Sequence, residues 1–116
     1  MKVIVYFVLA ILFSLSTFAT ASNLGDLIWE GKNSEAIQMM NKSPELVNTQ
    51  NSIGYTPLHL ASMVGNKKIV LFLVDKGVNF NATDGEGYSP LVRAKVNRHQ
   101  EIVDILVKHV AKAVKP

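Results

Sequence analysis

The sequence predicts an all-α solenoid of about three helix–turn–helix units joined by β-hairpin-like loops. Three observations carry this. The word "GYTPLHLA" at 54–61 returns as "GYSPLVRA" at 87–94. The same shift superposes Ile69-Val70 on Ile102-Val103 and Leu73-Val74 on Leu106-Val107. Glycine and proline fall at fixed places between the apolar clusters. A fixed period in the range of roughly 20–50 residues is the signature of stacked supersecondary units.

Residues 1–21 stand apart from the repeat. Lys2 gives a positive start, residues 3–15 are apolar apart from Tyr6 and Ser14, and Ala19 and Ala21 form an A-x-A site. This is the pattern of a secretory signal peptide with cleavage after Ala21. The alternative is an uncleaved anchor, but the apolar run is shorter than the ~20 residues of a span. Cleavage leaves one small domain at 22–116, with no stable membrane span. It also removes Lys2, so the net charge of +3 becomes +2. Such a domain hides only about 60–70% of its unfolded surface. The chain contains no cysteine, so disulfides are excluded and packing alone must hold it.

The remaining chain divides into units at 22–50, 51–83 and 84–116. The first matches weakly: Ala36-Ile37 aligns with Ile69-Val70, Met40 with Leu73 and Asn48 with Asn81. In the second, Thr56 is placed to cap free amides and Pro57 to occupy the first helical turn. Leu58, Leu60 and Ala61 continue that helix, and Gly65-Asn66 stops it after about two turns. A second helix is predicted from about Lys67 to Lys76, with Ile69, Val70, Phe72, Leu73 and Val74 apolar and Gly77 beyond its end. "VNFNATDGEGY" returns as a loop with a "DGEG" turn. The third unit repeats this plan with Ser89-Pro90. No single helix pair can bury its apolar side, and about three stacked units suffice.

The stretch "GYTPLHLASMVGNKKIVLFLVDKGVNFNA" at 54–82 resembles one complete ankyrin repeat, in the T-P-L-H-x-A signature, the glycine between helices and the closing asparagine. Residues 84–116 resemble a degenerate C-terminal cap repeat, and 22–50 an N-terminal cap. The resemblance implies that His59 hydrogen-bonds backbone and ties units together. Val92 stands where the pattern would repeat that histidine. Arg93, Lys95 and Arg98 replace Leu60, Ser62 and Gly65. Charges there suit a polar outer face with no following unit, while Arg98 in place of glycine leaves the turn between the helices open to question.

Candidate chemistry is sparse. His59, His99 and His109 include no i, i+4 pair, and no cysteine joins them, so no metal or cofactor is expected. "GYSPL" has Leu91 where a nucleophile elbow needs glycine, and Ser89 is the serine form of the Thr56 cap. No catalysis is expected. Asn41-Lys42-Ser43 and Asn81-Ala82-Thr83 match the N-glycosylation acceptor, which matters only in a eukaryotic secretory pathway. The basic residues at 66–68 and 93–98 are too few for a nucleic-acid footprint.

Surface remains. The family resemblance implies a protein partner, bound by loop tips and the inner side of the first helices: Ser52, Ile53, Tyr55, Met63 and Val64, then Gly85, Glu86, Tyr88, Val96 and Asn97. Six of these are apolar or aromatic (Ile53, Tyr55, Met63, Val64, Tyr88, Val96) and could form one ridge. The fold does not obviously require the tyrosines, although they could simply pack on neighbouring loops. The expected protein is therefore a monomeric, non-catalytic binding module in the periplasm or secreted. The alternative is a secreted effector or inhibitor acting on a host or competitor protein.

Overall fold

A computed structural model describes residues 23–114. The signal-peptide reading of residues 1–21 lies outside them. The described chain forms α1 (Asn23–Trp29), α2 (Asn33–Lys42), a 3-10 turn (Pro44–Asn48), α3 (Pro57–Val64), α4 (Lys67–Asp75), α5 (Pro90–Val96) and α6 (Gln100–Val114). There are six helices and no strand among the described residues. Helices α1, α3 and α5 pack side by side as one row, and α2, α4 and α6 as a second. The all-α repeat solenoid is as expected.

Local chemistry sets the helix ends. Thr56 Oγ1 accepts from the His59 amide at 3.2 Å, and the His59 ring accepts from the Thr56 amide at 3.2 Å. This reciprocal cap closes the start of α3, with Pro57 in its first turn. Gly65 ends α3 with a left-handed φ of 81°. Ser89 Oγ caps α5 through the Val92 amide at 3.3 Å. Arg98 replaces the turn glycine but takes its conformation, φ 61°, so the turn survives. A side chain in that region costs roughly 1–2 kcal/mol.

Asn66 does more than end a helix. Its Oδ1 caps α4 through the Ile69 amide at 3.2 Å. Its Nδ2 donates to the Ile28 carbonyl at 2.9 Å and to Asn33 Oδ1 at 2.7 Å, which ties α4 to α1 and α2. The core lies between the two rows. Ile28, Met40, Leu58, Ile69, Leu73, Ile102 and Leu106 are its largest buried aliphatic and thioether side chains.

The two loops are copies of one turn. Asn51 Oδ1 accepts from the amides of Ile53 and Tyr55 at 3.0 and 2.9 Å. Asp84 Oδ1 accepts from Glu86 and Tyr88 at 2.9 and 3.1 Å. The tips then join, because the Gly85 amide donates to the Ile53 carbonyl at 2.8 Å. That approach leaves no room at Gly54, where φ is 89° and a Cβ would lie 2.5 Å from the Gly85 nitrogen. Gly54→Ala is expected to cost at least about 1–2 kcal/mol from the left-handed backbone alone. Thermal denaturation checks this, and Gly87→Ala, whose Cβ would meet nothing within 4 Å, gives the strain without the collision.

Candidate functional site

The expected surface residues fall into two groups. Ser52, Ile53, Glu86 and Tyr88 are exposed at the joined tips, with Ile53 at 55% and Tyr88 at 44%. Val96 and Asn97 are exposed at the far end of α5, beside the half-buried Met63 and Val64 at the end of α3. Helix α3 has 8 residues, so the groups lie about 12 Å apart at ~1.5 Å per residue. The apolar residues therefore form two patches at opposite ends of the inner helices. Tyr55 is half-buried between the tips and α3.

The tip patch is fixed by a side chain read as part of a polar outer face. Arg93 instead turns inward, its side chain 14% exposed. Its Nε donates to Asp84 Oδ2 at 2.8 Å, and Nη2 lies 3.4 Å from Glu86 Oε1. Its guanidinium carbon stands 4.8 Å from the Tyr88 ring centre and 5.5 Å from that of Tyr55. The reason is the buried Asp84 carboxylate, which needs a cation, together with two rings that accept a flat one. Lys95, with no such partner, is exposed. Both tyrosines thus have a packing role as well as an exposed edge. The repeated sequence word carries no sign of this, because Asp84, Arg93 and Tyr55 belong to different turns of the chain.

His59 joins the units. Its buried ring donates from Nε2 to the Tyr88 carbonyl at 2.8 Å, while Nδ1 faces Thr56. Burial lowers its pKa, and the Tyr88 carbonyl and Asp84 only partly offset this. For Asp84, burial acts upward, but the Arg93 guanidinium and the Tyr88 and Glu86 amides outweigh it and hold the carboxyl at about 2. His99 and His109 are likewise engaged, with the carbonyls of Met63 at 3.1 Å and Ile105 at 2.8 Å. Among the described residues no three potential metal ligands cluster, and no helix is long and apolar enough to cross a membrane.

A cleft of about 430 Å³ opens beside the tips, between α1 and the start of α3. Its walls include Leu24, Asp26, Trp29, Asn51, Tyr55 and Leu60. Trp29 is 50% exposed there. No residue of α1 figured among the expected contact residues.

Comparison with known proteins bears on the whole stack. A family model described as ankyrin repeats, three copies, matches residues 26–115. The chain is 43% identical to mouse Rabankyrin-5 over 56 residues, 48% of this chain and 5% of that protein. It is 35% identical over 66 residues to an ankyrin repeat protein of fowlpox virus, covering 57% of this chain and 35% of the relative. An ankyrin repeat protein of Neisseria meningitidis is 32% identical over 69 residues, 60% of this chain and 27% of the relative. The chain therefore spans about a third or less of the length of these relatives.

Proposed function

Because the chain belongs to the ankyrin-repeat family, a family of protein–protein interaction modules, we propose that it is an exported, non-catalytic module that binds a protein partner through its loop tips and inner helix ends. The observation that carries this is the pair of exposed apolar tips. Ile53 and Tyr88 stand in solvent on loops that are locked by the Gly85–Ile53 hydrogen bond and by Arg93. A rigid apolar surface loses little conformational entropy on binding. Val96, 68% exposed, belongs to the second patch at the far end of α5.

The export half rests on Lys2, the apolar run at 3–15 and the Ala19–Ala21 site. On this reading the protein works in the periplasm or outside the cell. Fractionation followed by N-terminal sequencing tests it, with Ser22 expected as the first residue. Cytoplasmic protein that begins at Met1 would reject export.

For binding, the informative change is Ile53→Ser together with Val96→Ser. Both side chains are exposed, so helical circular dichroism should be unchanged. Recovery of the protein partner captured by the unaltered chain should fall at least tenfold, or ~1.4 kcal/mol. Undiminished capture would move the contact surface elsewhere.

A further inference from the structure

The cleft between α1 and α3 has a filled counterpart one repeat further along the chain. Tyr55 of the cleft corresponds to Tyr88, Asn51 to Asp84, Asp26 to His59 and Leu60 to Arg93. At the second junction, Arg93 stacks on Tyr88 at 4.8 Å and donates to Asp84 at 2.8 Å. His59, the counterpart of Asp26, touches the Tyr88 carbonyl at 2.8 Å. That contact shows how near this helix position lies to the tyrosine of the following loop. The cleft thus repeats the tyrosine, and a carboxylate, Asp26, shares its lining from α1 rather than from the loop. The place of Arg93 is taken there by Leu60 and open space, and Arg93 itself reaches Tyr55 only at 5.5 Å from the ring centre, against 4.8 Å for Tyr88.

We infer that this cleft binds an arginine side chain of a protein partner, with the guanidinium stacked on Tyr55 and paired with Asp26. The methylene stem lies along Leu60 and Trp29. Asp26 and Trp29 are three residues apart on α1, so they share one side of the helix. Asp26 is exposed and has no salt bridge among the described residues. Arginine rather than lysine fits, because a planar guanidinium can stack on a ring and pair with a carboxylate at once. The inference rests on the chain being a protein-binding module, but Asp26 and Trp29 lie outside the two patches already assigned.

Trp29 is the sole tryptophan, so its emission reports on the cleft. The full chain is titrated with a short Gly/Ser peptide bearing one central arginine. Lysine and citrulline versions serve as controls. A saturable change in Trp29 emission is expected with the arginine peptide, and at least tenfold weaker binding with either control. Asp26→Asn should weaken the arginine peptide at least tenfold. Leu60→Arg supplies the guanidinium from within and should abolish peptide binding while the helical circular dichroism persists. The Ile53→Ser, Val96→Ser variant should bind the peptide normally.

Three results would overturn the inference: no saturable change, an equal response to citrulline, or unaltered binding by Asp26→Asn. A Trp29 already shielded from iodide in the free chain would also overturn it, since the cleft would then be filled by other residues of the chain or by a second copy. If the titration fails while partner capture still depends on Ile53 and Val96, the binding function stands and only the arginine site falls.

Discussion

Leu73→Ala is expected to unfold most of the molecule at room temperature or to leave it barely stable. Leu73 is fully buried on α4, the middle helix of its row, which packs against both α2 and α6. Truncation removes apolar surface from the one place that all units share. Such a change costs roughly 2–5 kcal/mol, more where neighbours cannot collapse into the void. Here collapse is opposed on the side of the first unit, because α4 is held to α1 and α2 by Asn66. A domain of this kind has about 5–15 kcal/mol in total, and a small one, which buries a smaller share of its surface, sits toward the low end. Urea denaturation followed by circular dichroism checks this. A midpoint within error of the unaltered protein would mean that α4 is not the centre of the core.

The second large effect is expected at His59. His59→Ala empties a fully buried site and leaves the Thr56 amide and the Tyr88 carbonyl without their ring partner. The Tyr88 carbonyl keeps the Asp84 amide at 2.9 Å, whereas the buried Thr56 amide is orphaned, which costs about 1–3 kcal/mol. The emptied ring site adds to this, so the loss should reach at least about 2 kcal/mol, and the tie from α3 to the second tip is removed. The same ring sets a pH dependence. The ring is buried and charging it there costs solvation, so the folded state favours the neutral ring. The folded pKa is therefore below the ordinary 6.5, and the unfolded chain takes up its proton first as pH falls. Stability present above pH 6.5 is then lost as the pH drops below it. Asp84 adds a second step. Its carboxyl is held at about 2 against an ordinary 3.8, so its contribution is present above about pH 4 and lost between there and pH 2. Melting temperature against pH should show both declines. In His59→Ala, a flat profile from about pH 7 to 5 with the acid decline retained is the expected signature; an unchanged profile would exclude His59 as the cause.

Much of the architecture was legible because its causes are local. Thr56 with His59, Ser89 with Val92 and Gly65 at its left-handed φ all act within a single turn of the chain. The repeat then puts Leu73 and Leu106 at matching places, and both are buried. Arg98 shows the limit of such reasoning in one direction. The missing glycine put the turn in question, yet the turn forms, because the flanking helices hold Arg98 in the same conformation.

Arg93 shows the limit in the other direction. As a charge at a stacking position it read as solvent-facing, and it is instead held by Asp84 and two tyrosines. The sequence by itself determined the helix ends of the second and third units, the repeat register and the matching buried apolar positions, and the family resemblance implied the tie made by His59. Tertiary structure alone decided that Asn66 reaches Ile28 and Asn33, that Gly85 locks to Ile53, that Arg93 turns inward, and that an open cleft lies beside α1. The physical reason is range. A cap is settled by neighbours along the chain, whereas these contacts join residues of different repeats or different turns. They exist only once stacking has fixed which side chains meet, and how much space is left between them.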